Sequence, residues 1–254
     1  MNGNQLKLIM MGLMLLDHLA PLLPPQFGTP IHMLTRCVAV FFAFMAVEGF
    51  HYTSSRKKYL LRLYGWATIM FIGNTLINTL IITDPLYYAF RNIFITLAVG
   101  VTILTLIDFS KRIKEPFFKI TSTLLAIILT LVTTLGLIPA EGGLVVIPFM
   151  LLSYFFRDNA KKRNISYLIL AIPLIIMPLL GLPEYSFEMI KVQLEVNSEF
   201  LFLTVIPFIH LYNGQKGSNN PFVKYLFYVF YPLHIWVITS VSYTHLDVYK
   251  RQFI

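Results

Sequence analysis

Charge is scarce in this sequence: Asp, Glu, Lys and Arg make up 13% of its 254 residues, against about 25% in an ordinary soluble domain. A water-facing surface on every side is thereby excluded. Acids are scarcer still, 12 against 20 bases, for a formal net charge of +8. That excess would suit nucleic acid only if it formed a basic face or a recognition motif. Here Lys and Arg fall in short clusters between apolar runs, so no nucleic-acid partner is expected. The single cysteine, Cys37, rules out an intramolecular disulfide and any multi-thiolate metal site, and its apolar surroundings make it a small core residue. The chain also lacks His-x-x-x-His, His-Glu-x-x-His and a Gly-rich phosphate loop, the spacings that bind zinc or cradle phosphates. No metal is expected.

What the chain has instead is apolar length. Hydrophobic residues reach 57% and the mean hydropathy is +0.71. A bilayer core about 30 Å thick takes roughly 20 helical residues, and runs of about that kind cover 6–23, 31–50, 59–82, 86–107, 118–137, 142–156, 165–182, 198–212 and 222–241. The expected fold is an all-α, polytopic membrane bundle of about nine transmembrane helices, within a range of eight to ten because 142–156 and 198–212 are short. Pro24-Pro25, Asp84-Pro85, Pro116, Gly142-Gly143, Gly181 with Pro183, and Asn219-Asn220-Pro221 punctuate the runs. The first run follows one basic residue, Lys7, as a signal peptide would. It contains Asp17 and His18 and has no small-residue cleavage pattern, so it reads as an uncleaved span. With the N-terminus in the cytoplasm, fifteen of the 20 Lys and Arg fall on the inner side, as the positive-inside bias requires, and the membrane is the bacterial cytoplasmic (inner) one. Residues 1–240 form one transmembrane domain. The stretch 241–254 turns polar and basic on the wrong side and resembles translated adaptor sequence, so His245, Asp247, Lys250 and Arg251 are given no functional weight.

An ionisable group inside a span costs at least about 2.5–3.5 kcal/mol, which makes it functional by default. Asp17, His18, Arg36, Glu48, His51, Arg91, His210 and His234 qualify, while His32 reads as interfacial. At about 1.5 Å of rise per residue, His18 and Arg36 lie roughly 8 Å from the outer ends of their helices and His234 roughly 10 Å. Three helices thus place Asp17 with His18, Arg36 and His234 in one outer layer, with Asp17 and Arg36 neutralising each other. A second layer lies at the inner ends. Residues 46–63, "AVEGFHYTSSRKKYLLRL", offer Glu48, His51, Arg56, Lys57, Lys58 and Arg62, a set able to cradle a phosphorylated ligand and equally able to be topology determinants.

"LKLIMMGLMLLDH", "RCVAVFFAFMAVEGFHYTSSRKKYLLRL" and "KYLFYVFYPLHIWVI" resemble the TraX family, whose named member acetylates the N-terminus of conjugative pilin. These blocks hold Asp17-His18, Arg36, Glu48-Gly49-Phe50 with Tyr59 and Arg62, and Tyr231-Pro232 with His234. Thr35 and Val40 stand where the family pattern has Gly and Pro. The resemblance implies an acyltransferase drawing on acetyl-CoA or another acyl-CoA and modifying an amine or hydroxyl of a peptide (pilin-like) or envelope acceptor. Inner-face cations would hold the donor's phosphates. His18 would serve as base, Asp17 would orient it, Arg36 would steady the thioester oxygen or the site, and His234 would be a second acid/base, the two histidines being interchangeable. Two other classes stay open: a transporter or flippase lined by the same charges, and a non-catalytic membrane protein of pilus or envelope assembly.

Overall fold

In a computed structural model the described residues form eleven α-helices, with 3-10 segments at Ala20–Leu22, Met177–Leu179 and Ser198–Thr204. The structure describes residues 1–251 apart from 83, 86, 87, 139, 183 and 219, and apart from the side chains of 221, 224 and 244–251. Pro183, Asn219, the Lys224 side chain and those of His245, Asp247, Lys250 and Arg251 therefore lie outside the described residues.

The helices are α1 (Gly3–Leu19), α2 (Pro25–Leu34), α3 (Cys37–Tyr52), α4 (Arg56–Leu80), α5 (Ile93–Arg112), α6 (Pro116–Thr134), α7 (Gly143–Phe155), α8 (Ala160–Ile176), α9 (Phe187–Val196), α10 (Val205–Leu211) and α11 (Pro221–Arg251). Their starts are written locally. Asn2 and Gln5 form a reciprocal cap on α1, Ser55 caps α4, Asn159 caps α8, and Pro25 and Pro116 occupy first-turn positions, where a missing N–H is harmless. Some hydroxyls along the helices are satisfied within their own helix: Thr75 donates to the Phe71 carbonyl at 2.9 Å and Thr121 to that of Phe117 at 2.8 Å, so neither presents an unpaired donor to lipid.

Seven helical stretches are long and apolar enough to cross a membrane, rising to eight if α9 and the bent segment Ser198–Leu211 make one span, with a 66° turn between them. The chain is a multi-pass membrane protein. Helix α7 has 13 residues, about 20 Å at 1.5 Å each, shorter than the hydrocarbon core. It is packed inside the bundle against α3, α5, α6 and α8. The run expected at 198–212 is a 3-10 segment, Ser198–Thr204, followed by the short α10.

Two further differences from the sequence reading bear on function. The run 31–50 is interrupted at Thr35 and Arg36, between α2 and α3, where the His32 carbonyl accepts from Thr35 Oγ1 at 3.0 Å and Arg36 Nε at 3.2 Å. The run 86–107 enters its helix only at Ile93, which leaves Arg91 on non-helical backbone.

Helices α3 and α5 form the centre: half of the α2–α3 stretch and 61% of α5 are buried, against 17–28% for the other spans. Phe41, Val47, Phe50, Ala98, Val101 and Leu104 are enclosed there. Around them α1 packs on α3 and α11, and α11 packs on α1 and α4. The approach of α4 to α11 depends on Gly73, because a Cβ there would collide with the Trp236 ring, whose Nε1 donates to Asn74 Oδ1 at 3.0 Å.

Candidate functional site

Contacts sort the charged groups into two ends. At one end the backbone N–H groups of Gly3 and Asn4 donate to the carbonyls of Gln215 and Lys216, Arg157 pairs with Glu48, and Arg56 pairs with Asp108. At the other end lie Asp17, His18, His32, Arg36, Arg91, Glu141 and Glu199, which line a cavity of about 420 Å³, the histidine cavity.

Asp17 sits at its centre of charge. Its Oδ1 accepts from Thr35 Oγ1 at 2.5 Å and from Arg36 Nη2 at 3.0 Å, and lies 3.1 Å from His32 Nδ1. The helix break at Thr35–Arg36 makes this possible, since it turns both side chains toward α1. His32 Nδ1 also stands 3.1 Å from Arg36 Nη2, which closes the cluster. Removing only the acid strands Arg36. We expect Asp17→Leu to cost roughly 2 kcal/mol, below the 3–5 of a fully buried pair because Arg36 keeps 21% of its side-chain surface. Melting curves in detergent should show Asp17→Leu with Arg36→Met recovering most of that loss; a double variant as unstable as the single one would refute the pairing.

Beside this cluster α1 and α11 bring two imidazoles together from 216 residues apart, with His234 Nε2 3.3 Å from His18 Nδ1 and ring centroids 4.8 Å apart, edge to face. A carbonyl only accepts, so the ring nitrogen facing one carries the hydrogen. His18 Nδ1 faces the Met14 carbonyl at 2.8 Å, and His234 Nδ1 faces that of Phe230 at 2.7 Å. Both neutral rings therefore keep their lone pair on Nε2. That of His234 points at the His18 N–H, while His18 Nε2 has no hydrogen-bond partner. His18 lines the cavity and His234 stands behind it, 7% exposed.

Glu141 enters from the segment between α6 and α7. Its Oε2 accepts from Tyr231 Oη at 2.6 Å, and burial pushes its carboxyl above the usual range. Tyr231 Oη also accepts the Ile93 N–H at 3.2 Å.

The second cavity, about 630 Å³, opens at the other end. Lys7, Arg62 and Lys216 line it, with Asn4, Glu48, Tyr59 and Tyr228; both volumes suit small-ligand sites. Phe42, Phe94, Leu97 and Phe227 belong to both cavities, so the basic cavity and the histidine cavity are separated by a shared apolar wall.

The residues expected to hold phosphate separate. Glu48 and Arg62 line the basic cavity; His51, Arg56, Lys57 and Lys58 do not. His51 stacks on Tyr154, Arg56 is engaged by Asp108 and lies 4.5 Å from the Phe50 ring, and Lys57 and Lys58 are exposed. Glu48 accepts from Arg157 Nε at 2.8 Å, and that carboxylate holds the guanidinium above its usual pKa. His210 contacts Asn164 at 2.8 Å. Sequence reading did not single out Lys7, Lys216, Arg157, Thr35 or Glu141, and it placed His32 at the interface. For His32 a signal existed, since it precedes Arg36 by four residues and so shares its helix face.

Helices of this length and apolarity, with some of their charges drawn into cavities, define a multi-pass membrane protein with a polar site and a basic cavity at opposite ends. The chain belongs to the TraX family: the family model described as TraX protein matches residues 2–242. It is also 26% identical over 248 residues, 94% of each chain, to the probable fimbrial assembly protein FimC, serogroup H1, of Dichelobacter nodosus. No solved structure matches.

Proposed function

We propose that this protein is a membrane acyltransferase that moves an acetyl or similar acyl group from cytosolic acyl-CoA to an amine or hydroxyl of a peptide or envelope acceptor. One observation carries the reading: His18, whose Nε2 is buried and without a hydrogen-bond partner among the described residues, lines a cavity that shares part of its wall with a basic one at the opposite end. The basic end faces the cytoplasm, as the positive-inside bias directs, in the bacterial inner membrane. There Lys7, Arg62 and Lys216 suit a donor rich in phosphate, and Arg157 cancels the one acid, Glu48, that would repel it. A pilin-like peptide is the acceptor of this reading, in keeping with the fimbrial assembly in the relative's name.

The acyl donor supplies a thioester carbonyl. The acceptor nitrogen or oxygen forms the new bond to that carbon as the carbon–sulfur bond breaks; its proton passes to His18 Nε2 and then to the departing thiolate. A neutral imidazole takes up a proton on its free nitrogen and gives it back, which suits both transfers. Asp17 and the His234 lone pair favour the imidazolium that forms, and Arg36, already committed to Asp17, holds the carboxylate in place. Purified protein incubated with radiolabelled acetyl-CoA and a pilin-like peptide should label the peptide. Absence of transfer to any amine or hydroxyl acceptor would defeat the proposal and favour an assembly role, the reading the relative's name supports. Within the basic cavity, Arg62→Gln should raise KM for acyl-CoA about tenfold with kcat little changed, as expected for a lost charged contact of about 1.5 kcal/mol; an unchanged KM would remove Arg62 from donor binding.

A further inference from the structure

Besides its histidines, the histidine cavity has five ionisable side chains, Asp17, Arg36, Arg91, Glu141 and Glu199. Three are spoken for. Asp17 and Arg36 neutralise each other, and Glu141 accepts from Tyr231 while burial favours its uncharged form. Glu199 is exposed. Arg91 remains: among the described residues its guanidinium has no ion-pair or hydrogen-bond partner.

The backbone beneath that guanidinium is built with unusual care. Residues 88–92 are neither helix nor strand, a conformation tolerated at membrane depth only where it is covered by protein or lines a cavity. Three asparagines clamp it. Asn74 Nδ2 donates to the Arg91 carbonyl at 3.0 Å; Asn78 both donates to the Ala89 carbonyl at 3.1 Å and accepts the Ala89 N–H at 2.7 Å; Asn92 Nδ2 donates back to the Ala67 carbonyl of α4 at 2.9 Å. Trp236 of α11 in turn fixes Asn74. These contacts satisfy the backbone of the segment and, in doing so, fix the residue that bears the unpaired cation.

A guanidinium held at a mostly apolar cavity matches one ligand chemistry above others. Its planar fork meets a carboxylate or phosphate with two parallel N–H···O bonds. We infer that Arg91 binds an oxyanion, carboxylate or phosphate, carried by the acceptor close to the group that is acylated. The acceptor part of this statement rests on the acyltransferase reading; the oxyanion site does not.

The test therefore uses binding. Purified full-length protein in an uncharged detergent is titrated with sodium acetate and, separately, inorganic phosphate against sodium chloride at matched ionic strength, following the melting temperature. Wild type should give a saturable rise with at least one anion, and Arg91→Gln should weaken the apparent Kd at least tenfold, with Arg91→Lys partly restoring it. Arg91 is exposed and its clamps are backbone contacts, so the variants should fold. Acetate alone acting supports a carboxylate-bearing acceptor, phosphate alone a phosphorylated one. Equal affinity in wild type and Arg91→Gln, no saturable rise with either anion, or a rise abolished by Arg62→Gln but not by Arg91→Gln would each overturn the inference. A failed radiolabel assay would sink the acyltransferase reading without moving these titrations.

Discussion

The His18→Ala protein will insert into the membrane and transfer acyl groups about a hundredfold to ten-thousandfold more slowly than wild type, the range that loss of a general base produces. The size follows from how few substitutes exist. His234, the other imidazole in reach, has its Nε2 aimed at His18 rather than into the cavity, and it is not a lining residue. Asp17 already meets Arg36 and Thr35. Stability should fall by about 1–3 kcal/mol, because the alanine leaves the buried His234 Nε2 without its donor. His234→Ala should be milder, since there the base survives and its N–H keeps the Met14 carbonyl as acceptor. Initial rates in membranes with matched protein levels decide the matter: full turnover by His18→Ala would end its role, and a larger loss in His234→Ala would exchange the two.

Thickening the shared wall should be nearly as damaging and should separate binding from chemistry. Phe42 lines both cavities and is half-buried, so Phe42→Trp adds bulk there with a packing cost of about 1–3 kcal/mol. Acyl-CoA should still bind at the basic end, measured with radiolabelled donor, while transfer falls at least about a hundredfold because the thioester no longer reaches His18. Phe42→Leu, which shortens the side chain, should keep most of the activity. Parallel loss of donor binding and transfer in Phe42→Trp would mean that the two cavities do not act in series.

Much of the molecule could be read along the chain because membrane burial imposes a local rule. Apolar runs become helices wherever lipid offers no other partner to the backbone, and the starts of α1, α4 and α8 are spelled out by Asn2, Ser55 and Asn159. The same rule made Asp17, His18, Arg36 and His234 stand out, since charge in a span is costly wherever it sits. The ends of runs were less legible. At 31–50 the apolar pattern passes through Thr35 and Arg36 without interruption, yet the helix breaks there, because contacts to Asp17 from another helix compensate the broken ladder. At 86–107 the first residues are apolar enough to be helical, and three asparagines hold residues 88–92 out of the helix.

By itself the sequence determined a bundle of membrane helices, a basic excess gathered in particular loops, and the few ionisable groups placed where lipid would penalise them. Only the tertiary structure decided which of those groups meet. It set His18 against His234, gave Glu48 to Arg157 and Arg56 to Asp108, left Arg91 without an ion-pair partner among the described residues, and gave two cavities a common wall at Phe42, Phe94, Leu97 and Phe227. The reason is physical: hydropathy is a property of one segment facing lipid, whereas a pairing depends on the rotation and depth of two helices, which side-chain packing across the whole bundle sets.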